Sequence, residues 1–461
     1  MKQLLTFGLL FAVVISGCRK IEVDGTNNNN NNGGGGSENT ILEGRIKENR
    51  TLKADYTYKL RGLVYVTDGA VLTIEPGTKI VGETGQRGGL IITRGAKIIA
   101  DGTVDKPIVF TSESSTPTRG DWAGIVLLGN APTNSSYNGT AGVGEIEGGV
   151  NNSDGLGLYG GNNPADNSGI LRYVRIEYAG YAFLPDKEIN GLTFGGVGNQ
   201  TIIDYVQVAY SNDDSFEWFG GTVNCKHLIS YRCLDDDFDT DNGFSGKIQF
   251  GIVLRDSAVA DISKSEAFES DNDANGSSLL PQTGAVFSNM TVLGPKATLA
   301  NTGNSLFLCG AQIRRNSTIS LFNSVIGGWP LGLLIDASKG TPTDNNIFSA
   351  TPTLFVESTI IAGCPTPTKY SPSTNATGKA DADILAWFNT PASNNSILTN
   401  NADLQLTAPF NYTAPDFNPA AGSPAATGAA FTHAKLAGFT SVAYKGACAV
   451  GDSWWKTWTK F

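Results

Sequence analysis

Acidic side chains are concentrated in one short part of this sequence, between residues 212 and 273. They form three groups, at residues 213–217, 235–241 and 269–273. Carboxylate oxygens are the ligands that Ca²⁺ prefers, and this ion accepts several of them in flexible geometry. We therefore predict a structural Ca²⁺ site, to which the third group also contributes. Its candidate ligands are the carboxylates of the first two groups: Asp213, Asp214, Glu217, Asp235, Asp236, Asp237, Asp239 and Asp241.

The spacing of the first two groups predicts that they stack. Aligning Tyr205 with His227 places the pair 213–214 over the pair 235–236, at a shift of 22 residues (227 − 205). In a chain that lays each strand over the last, aligned positions lie about 4.8 Å apart. Stacked carboxylates raise each other's pKa unless a cation lies between them. Residues 237–243 also resemble the opening of a calcium loop, although their glycine comes one place later than in an EF-hand.

Two other interpretations of these acids stay open. Asp and Asn favour tight turns, so the groups are also explained as solvated turn residues. In the catalytic interpretation, Asp213, Asp214 and Asp236 act as acid and base on a glycosidic bond. Asp213-Asp214 resembles the paired aspartates of polygalacturonase-type hydrolases, but their Gly-His-Gly element is missing. A lyase would need a basic residue beside the calcium, and the nearest ones in the sequence are Arg232, Lys247 and Arg255.

Internal repeats indicate the fold that positions these residues. Residues 72–80 recur as 90–98, residues 171–178 recur as 203–210, and a third unit occurs at 287–292, 321–326 and 355–360. Each unit is a short alternating strand bounded by Gly, Asn or Asp. Similar strands with loops of varied length are typical of a solenoid. We predict an all-β fold, a right-handed parallel β-helix over residues 41–461, with a β-sandwich as the alternative.

The last residues of the chain are rich in aromatic side chains. Trp454, Trp455, Trp458 and Phe461 lie within eight residues (454 to 461). A solenoid needs a cap where its last coil would expose the core. We predict an aromatic plug over the last coil, within an irregular C-terminal capping region at residues 365–461. The alternative is an aromatic platform that binds sugars.

The first residues have the pattern of an export signal. A basic start is followed by about a dozen apolar residues, too few to span a bilayer. Residues 15–18, Ile-Ser-Gly-Cys, resemble the lipobox of bacterial lipoproteins, which implies a signal peptide at 1–17 and a lipid on Cys18. An Asn- and Gly-rich tether then occupies residues 18–40. We expect a lipid-anchored protein of the outer membrane that is exposed at the cell surface.

Charge and cysteine content restrict the partners further. The net charge of −10 argues against nucleic acid as a partner. An exported protein permits disulfides, and the candidate pairs are Cys225–Cys233 and Cys364–Cys448. An odd number of cysteines after Cys18 leaves one of them unpaired.

Several segments resemble a family of right-handed parallel β-helix lipoproteins of the Bacteroidetes. They include residues 95–102, 106–112 and 120–125 near the start of the body and residues 444–458 at its end. This resemblance implies the fold and little about activity. The expected function is a surface-anchored binding or structural module, stabilised by Ca²⁺, that recognises a polysaccharide or another surface protein. The alternative is a calcium-dependent polysaccharide lyase or glycoside hydrolase acting at residues 213–241.

Overall fold

A computed structural model describes residues 38–461, apart from residue 86, residues 185–186 and residues 374–377. Within this part of the chain, Thr40–Phe461 form one compact unit. The expected signal peptide at 1–17, the lipidated Cys18 and nearly all of the tether lie outside the described residues. No helix among the described residues is long and apolar enough to cross a membrane.

The regular secondary structure of the described chain is almost entirely β, with 34 strands and two short α-helices. The helices are α1 (Asn345–Phe348) and α2 (Asp381–Phe388), and three 3₁₀ turns lie at Pro391–Ser393, Asn401–Leu404 and Ala434–Leu436. The strands, in chain order, are β1 (Ile41–Ile46), β2 (Arg50–Leu52), β3 (Thr57–Val66), β4 (Val71–Ile74), β5 (Lys79–Gly82), β6 (Gly89–Ile92), β7 (Lys97–Asp101), β8 (Ile108–Ser112), β9 (Gly124–Leu128), β10 (Ser136–Tyr137), β11 (Thr140–Ala141), β12 (Gly144–Glu145), β13 (Leu158–Tyr159), β14 (Gly169–Glu177), β15 (Ala182–Leu184), β16 (Lys187–Glu188), β17 (Leu192–Gly195), β18 (Ile202–Ala209), β19 (Phe216–Phe219), β20 (Asn224–Tyr231), β21 (Phe238–Asp241), β22 (Lys247–Leu254), β23 (Phe268–Ser270), β24 (Val286–Leu293), β25 (Cys309–Arg314), β26 (Ser320–Phe322), β27 (Val325–Gly327), β28 (Leu331–Asp336), β29 (Val356–Glu357), β30 (Ile360–Ala362), β31 (Thr366–Ser371), β32 (Ser396–Leu398), β33 (Leu406–Ala408) and β34 (Asp416–Pro419).

These strands wind into a parallel β-helix, which confirms the predicted fold. Twenty-six of them belong to one hydrogen-bonded sheet. Each coil pairs in parallel with the coils before and after it, as β18 does with β14 and β20. The ladder that matters for the site runs through β9, β17, β19, β21, β23 and β25, and we call its outer surface face A.

Alternation along the strands of face A separates core from surface. In β19, Phe216 and Trp218 belong to the main hydrophobic core, whereas Glu217 between them points outward. Identical positions stack in register: the rings of Phe216 and Phe238 are 5.6 Å apart, and those of Phe238 and Phe268 are 5.4 Å apart. Such offset stacks contribute about 1 kcal/mol each beyond the area that they bury.

A left-handed residue turns the chain at the same corner of successive coils. Tyr173, Tyr205, His227 and Phe250 have φ values of 50°, 55°, 49° and 65°. Their rings form one outward stack, with centroid distances of 4.4, 4.2 and 5.0 Å. His227 also hydrogen-bonds Asp204 through Nδ1 at 2.7 Å. The ring contacts compensate for a backbone conformation that bulky residues rarely adopt.

The C-terminal aromatic cluster is present, but it does not lie over the last coil. Trp458 packs edge-on against Tyr173 and Tyr205, on the flank of the middle coils. Trp455 and Trp458 are buried there, which leaves neither as a sugar platform. The last coil is closed by α2, whose Ile384 and Phe388 join the main core. The outward ring stack needs a cover because it is apolar, and the tail provides it.

The predicted disulfides are wrong. All five described cysteines are free and buried: Cys225, Cys233, Cys309, Cys364 and Cys448. Cys225 is the second residue of β20 and packs in the main core, whereas the Cys233 thiol lies beyond the end of this strand, in contact with Asp237 and Arg255. Cys364 lies in the main core, whereas Cys448 lies under the C-terminal tail.

Candidate metal centre

A four-residue pattern of acid, any residue, Phe and acid occurs in three successive coils. It occupies residues 214–217, 236–239 and 266–269. In each copy the Phe enters the core, the second acid lies on face A, and the first acid lies in the turn before the strand. The first two copies pair at a shift of 22 residues, since Phe216 pairs with Phe238 (238 − 216), as the spacing predicted.

The second acid of each copy forms a column along face A. Glu217 pairs with Asp239, and Asp239 pairs with Glu269. Thr193 continues this column on one side and Gln312 on the other. Three carboxylates are therefore stacked at the spacing of neighbouring strands, between two uncharged ends.

The first acid of each copy forms a second column, in the turns. Asp214 Oδ1 accepts a hydrogen bond from the backbone N–H of Asp236 at 2.7 Å. Asp236 Oδ1 in turn accepts one from the backbone N–H of Glu266 at 2.6 Å. Asp214 and Asp236 therefore each bind the backbone of the next acidic turn and hold it in register.

Carboxylates of these turns and strands form three triads, and within each triad the candidate ligand oxygens lie within 4.8 Å of one another. Two oxygens that share one Ca²⁺ at about 2.4 Å each are at most about that far apart. The triads are Asp213–Asp214–Asp235, Asp214–Glu217–Asp239 and Asp236–Glu266–Glu269. We call these eight residues the acidic ladder.

Each triad contains a buried carboxylate oxygen that receives no hydrogen bond from the described residues. These atoms are Oδ1 of Asp235, Oδ1 of Asp239 and Oε1 of Glu266. Glu266 is 1% exposed, so bulk solvent does not reach this oxygen. Leaving such an acceptor buried costs on the order of 1–3 kcal/mol, and more when it is charged.

Burial raises the pKa values of the acidic ladder, and neighbouring carboxylates raise them further. The pKa of Asp235 rises to about 7, with burial as the largest cause and Asp261 next. The pKa of Glu266 rises to about 8, through burial and then Glu269. Burial also raises the pKa of Glu269, to about 7, although Arg314 opposes this rise.

The other members shift in the same direction. Burial raises the pKa values of Asp213, Asp214, Glu217, Asp236 and Asp239 well above their ordinary range.

Little positive charge balances the acidic ladder. Among the described residues, Glu269 is the one member of the acidic ladder that forms an ion pair, and its partner is Arg314. The amide of Asn190 donates a hydrogen bond to Glu217 Oε2. A group of carboxylates in this condition takes up either protons or a metal cation at neutral pH.

Six of the eight predicted ligands lie in the ladder, and two do not. Asp237 points inward, where its Oδ2 lies 3.3 Å from Nη1 of the buried Arg255. Asp241 lies farther along face A, where burial and then Asp271 raise its pKa. The calcium-loop interpretation is wrong, because residues 238–241 form the extended strand β21 and not a loop that wraps around an ion, and because Asp237 pairs with Arg255.

The basic residues nearest in sequence do not face the ladder. Arg232 binds Asp256, and Lys247 donates to the carbonyl of Ala437. Arg255 is fully buried behind the acidic turn, where its guanidinium donates to the carbonyl of Leu234 at 2.9 Å and to that of Asp235.

Sequence reasoning missed Glu266 and Arg314. Arg314 reaches the ladder from the end of β25, where it binds Glu269 and Asp271. Glu266 was hidden because a longer loop raises the shift between coils to 30, since Phe238 pairs with Phe268 (268 − 238). The signal that identifies it is the third copy of the acid–Phe–acid pattern.

Comparison with known proteins agrees with this architecture. Residues 44–386, well over half of the chain, match the family model described as "Pectate-lyase like beta helix domain". The searches of curated proteins and of solved structures each found no significant match. This parallel coil has buried acids on one face, and the chain belongs to the pectate-lyase like beta helix domain family.

Proposed function

We propose that this protein is a Ca²⁺-binding β-helix module that is displayed at the cell surface. The observation that carries the proposal is the acidic ladder, whose three triads each contain an orphaned buried oxygen. Because seven of its eight members have no cationic partner among the described residues, folding leaves a strongly negative strip on face A. A bound cation removes this repulsion and satisfies the orphaned oxygens.

The donor set favours Ca²⁺ over other common metals. Every ligand is a carboxylate oxygen, and the described triads contain neither His nor Cys. Zn²⁺ favours nitrogen and sulfur ligands, and Mg²⁺ keeps several waters in a strict octahedron. Ca²⁺ takes six to eight oxygens in irregular geometry, which suits stacked turns that differ from coil to coil.

The display at the surface rests on the N-terminal sequence. A lipid on Cys18 would anchor the protein in the outer membrane, and the tether at residues 18–40 would hold the rigid coil away from it. The long side of such a coil suits a polysaccharide or another surface protein. A cation held on face A would bridge the protein to an acidic group of that partner.

Thermal unfolding of the mature protein with EDTA and with millimolar Ca²⁺ tests the cation site. A ligand at about 100 times its Kd stabilises the folded state by about 2.7 kcal/mol. We expect the midpoint to rise in Ca²⁺ for the wild type and not for Asp214→Asn/Asp236→Asn, which removes a charge from each of the three triads and keeps an oxygen for each backbone hydrogen bond. The matched control is Asp55→Asn/Asp105→Asn, two exposed carboxylates far from the acidic ladder in sequence. A midpoint that is the same in EDTA and in Ca²⁺ would refute the proposal.

A second candidate function is Ca²⁺-dependent cleavage of an acidic polysaccharide. The observation that favours it is Arg314, a basic residue in contact with Glu269 of the ladder. In this case Asp213, Asp214 and Asp236 would hold the cation or act as acid and base. The test incubates the protein with acidic polysaccharides and Ca²⁺ and follows new reducing ends. Product that disappears in Arg314→Lys supports an enzyme. If no polymer yields product, the result favours the binding module.

A further inference from the structure

A small cavity lies where the acidic ladder ends. Its volume is about 100 Å³, and it is lined by two arginines and a lysine together with a carboxylate and a hydroxyl. The lining residues are Arg314, Arg315, Asp336, Ser338 and Lys339. Two segments build it: the end of β25 with the residue after it, and the end of β28 with the turn that follows. Three cationic side chains therefore meet beside a strip of carboxylates.

In the absence of a metal, the charges around the cavity cancel. Arg314 and Arg315 both bind Asp271, and Arg314 also binds Glu269. Asp336 accepts hydrogen bonds from Gln312 at 3.2 Å and from the backbone N–H of Ser338 at 2.8 Å. Three carboxylates (Glu269, Asp271 and Asp336) thus balance the three cationic side chains.

Glu269 links this cavity to the ladder. Its carboxylate belongs to the third triad with Asp236 and Glu266, and it is also the partner of Arg314. A cation bound in that triad competes with Arg314 for the same carboxylate. Once Glu269 is committed to the cation, the cavity carries a net positive charge and Arg314 has free donors.

We propose that the cavity binds a tetrahedral oxyanion, the sulfate or phosphate group of a ligand, and that a cation in the third triad strengthens this binding. The cation dependence rests on the proposed function, whereas the cavity stands on its own geometry. Three cationic groups from two segments, with the Ser338 hydroxyl beside them, suit an anion with several equivalent oxygens. A planar carboxylate offers two oxygens, which a single arginine already satisfies.

Calorimetric titration of the mature protein with inorganic sulfate tests this site, in EDTA and in Ca²⁺. We expect saturable binding that is at least about tenfold tighter in Ca²⁺, since the freed guanidinium of Arg314 adds a charge-assisted hydrogen bond to the anion. Acetate should bind more weakly than sulfate. Arg315→Ala and Lys339→Ala should each weaken sulfate binding about tenfold or more, whereas the exposed control Lys47→Ala should not change it.

Titration with Ca²⁺ alone separates the two proposals. Ca²⁺ binding without sulfate binding overturns the oxyanion site and leaves the metal centre intact. Sulfate binding of equal strength in EDTA and in Ca²⁺ overturns the coupling through Glu269. A sulfated monosaccharide in place of sulfate identifies the source of the group: tighter binding than sulfate indicates an ester on a glycan, and weaker binding indicates a free anion.

Discussion

Asp214 accepts a hydrogen bond from the backbone N–H of Asp236, one coil farther along the helix, with 2.7 Å between Oδ1 and N. The same contact recurs between Asp236 and Glu266. These side chains thus have two roles, because they order the next turn through one oxygen and contribute negative charge to the ladder. The two roles respond differently to substitution.

Asp214→Asn and Asp214→Ala separate these roles. Asn keeps an oxygen that can accept the hydrogen bond from Asp236 and removes one charge, whereas Ala leaves a buried N–H without an acceptor. In EDTA we expect Asp214→Ala to lose about 1–3 kcal/mol of unfolding free energy relative to Asp214→Asn. Both variants should lose most of the stabilisation by Ca²⁺, because Asp214 belongs to two triads. Urea unfolding measures this, and equal stability of the two variants in EDTA would argue against the hydrogen-bond role.

The pH dependence of stability should reverse the usual pattern of carboxylates. The folded-state pKa values of Asp235 and Glu269 are about 7 and that of Glu266 is about 8, above the value of about 4 in an unfolded chain. The folded protein therefore binds more protons than the unfolded one between about pH 4 and 8. The stabilisation of the folded state by these extra protons is fully present below about pH 4 and is lost as the pH rises through 7 to 8.

In EDTA the thermal midpoint should consequently fall between pH 5 and pH 9. Saturating Ca²⁺ should reduce this fall, because the cation replaces the protons. A midpoint in EDTA that stays level or rises over this range would contradict the raised pKa values.

The buried pair of Arg255 and Asp237 should hold the acidic turn in place. Removing one partner leaves a buried charge unpaired, which costs about 3–5 kcal/mol. We expect Arg255→Met and Asp237→Asn each to destabilise the protein by that order, and the double variant to lose much less than the sum. A double-mutant cycle by urea unfolding measures the coupling, and additive losses would show that the two side chains act independently.

The five described cysteines should behave as buried free thiols. Burial raises the pKa of Cys225, and it raises the pKa values of Cys233 and Cys364 to about 12. We expect a thiol reagent to label these cysteines only after denaturation, with no need for a reductant. A thermal midpoint that falls when a reductant is added would indicate a disulfide that the structure does not contain.

The stacking of the acids was predictable where the chain has no insertion. Residues 205–214 and 227–236 have the same length, so aligning their strands also aligned their acids. The next turn contains an inserted loop, and the fixed shift of 22 fails there. Glu266 is recognised by its neighbours, because the following Phe268 continues the ring stack of Phe216 and Phe238.

Other parts of the site depend on three-dimensional packing. Arg314 follows Glu269 by 45 residues, and only the winding of the coil brings the two side chains together. The aromatic composition of the tail predicted that it covers apolar surface. It did not predict which surface, because the ring stack of Tyr173, Tyr205 and His227 exists only after the coils are stacked.

The most direct test of the metal centre is the anomalous diffraction signal of crystals grown with Ca²⁺ or a lanthanide substitute. The acidic ladder predicts a peak within about 2.3–2.6 Å of the triad carboxylates of face A for Ca²⁺. The same crystals of Asp214→Asn/Asp236→Asn, which changes a ligand in each triad, should lack it. Wild-type crystals at saturating cation with no peak at any of the three triads would contradict the account.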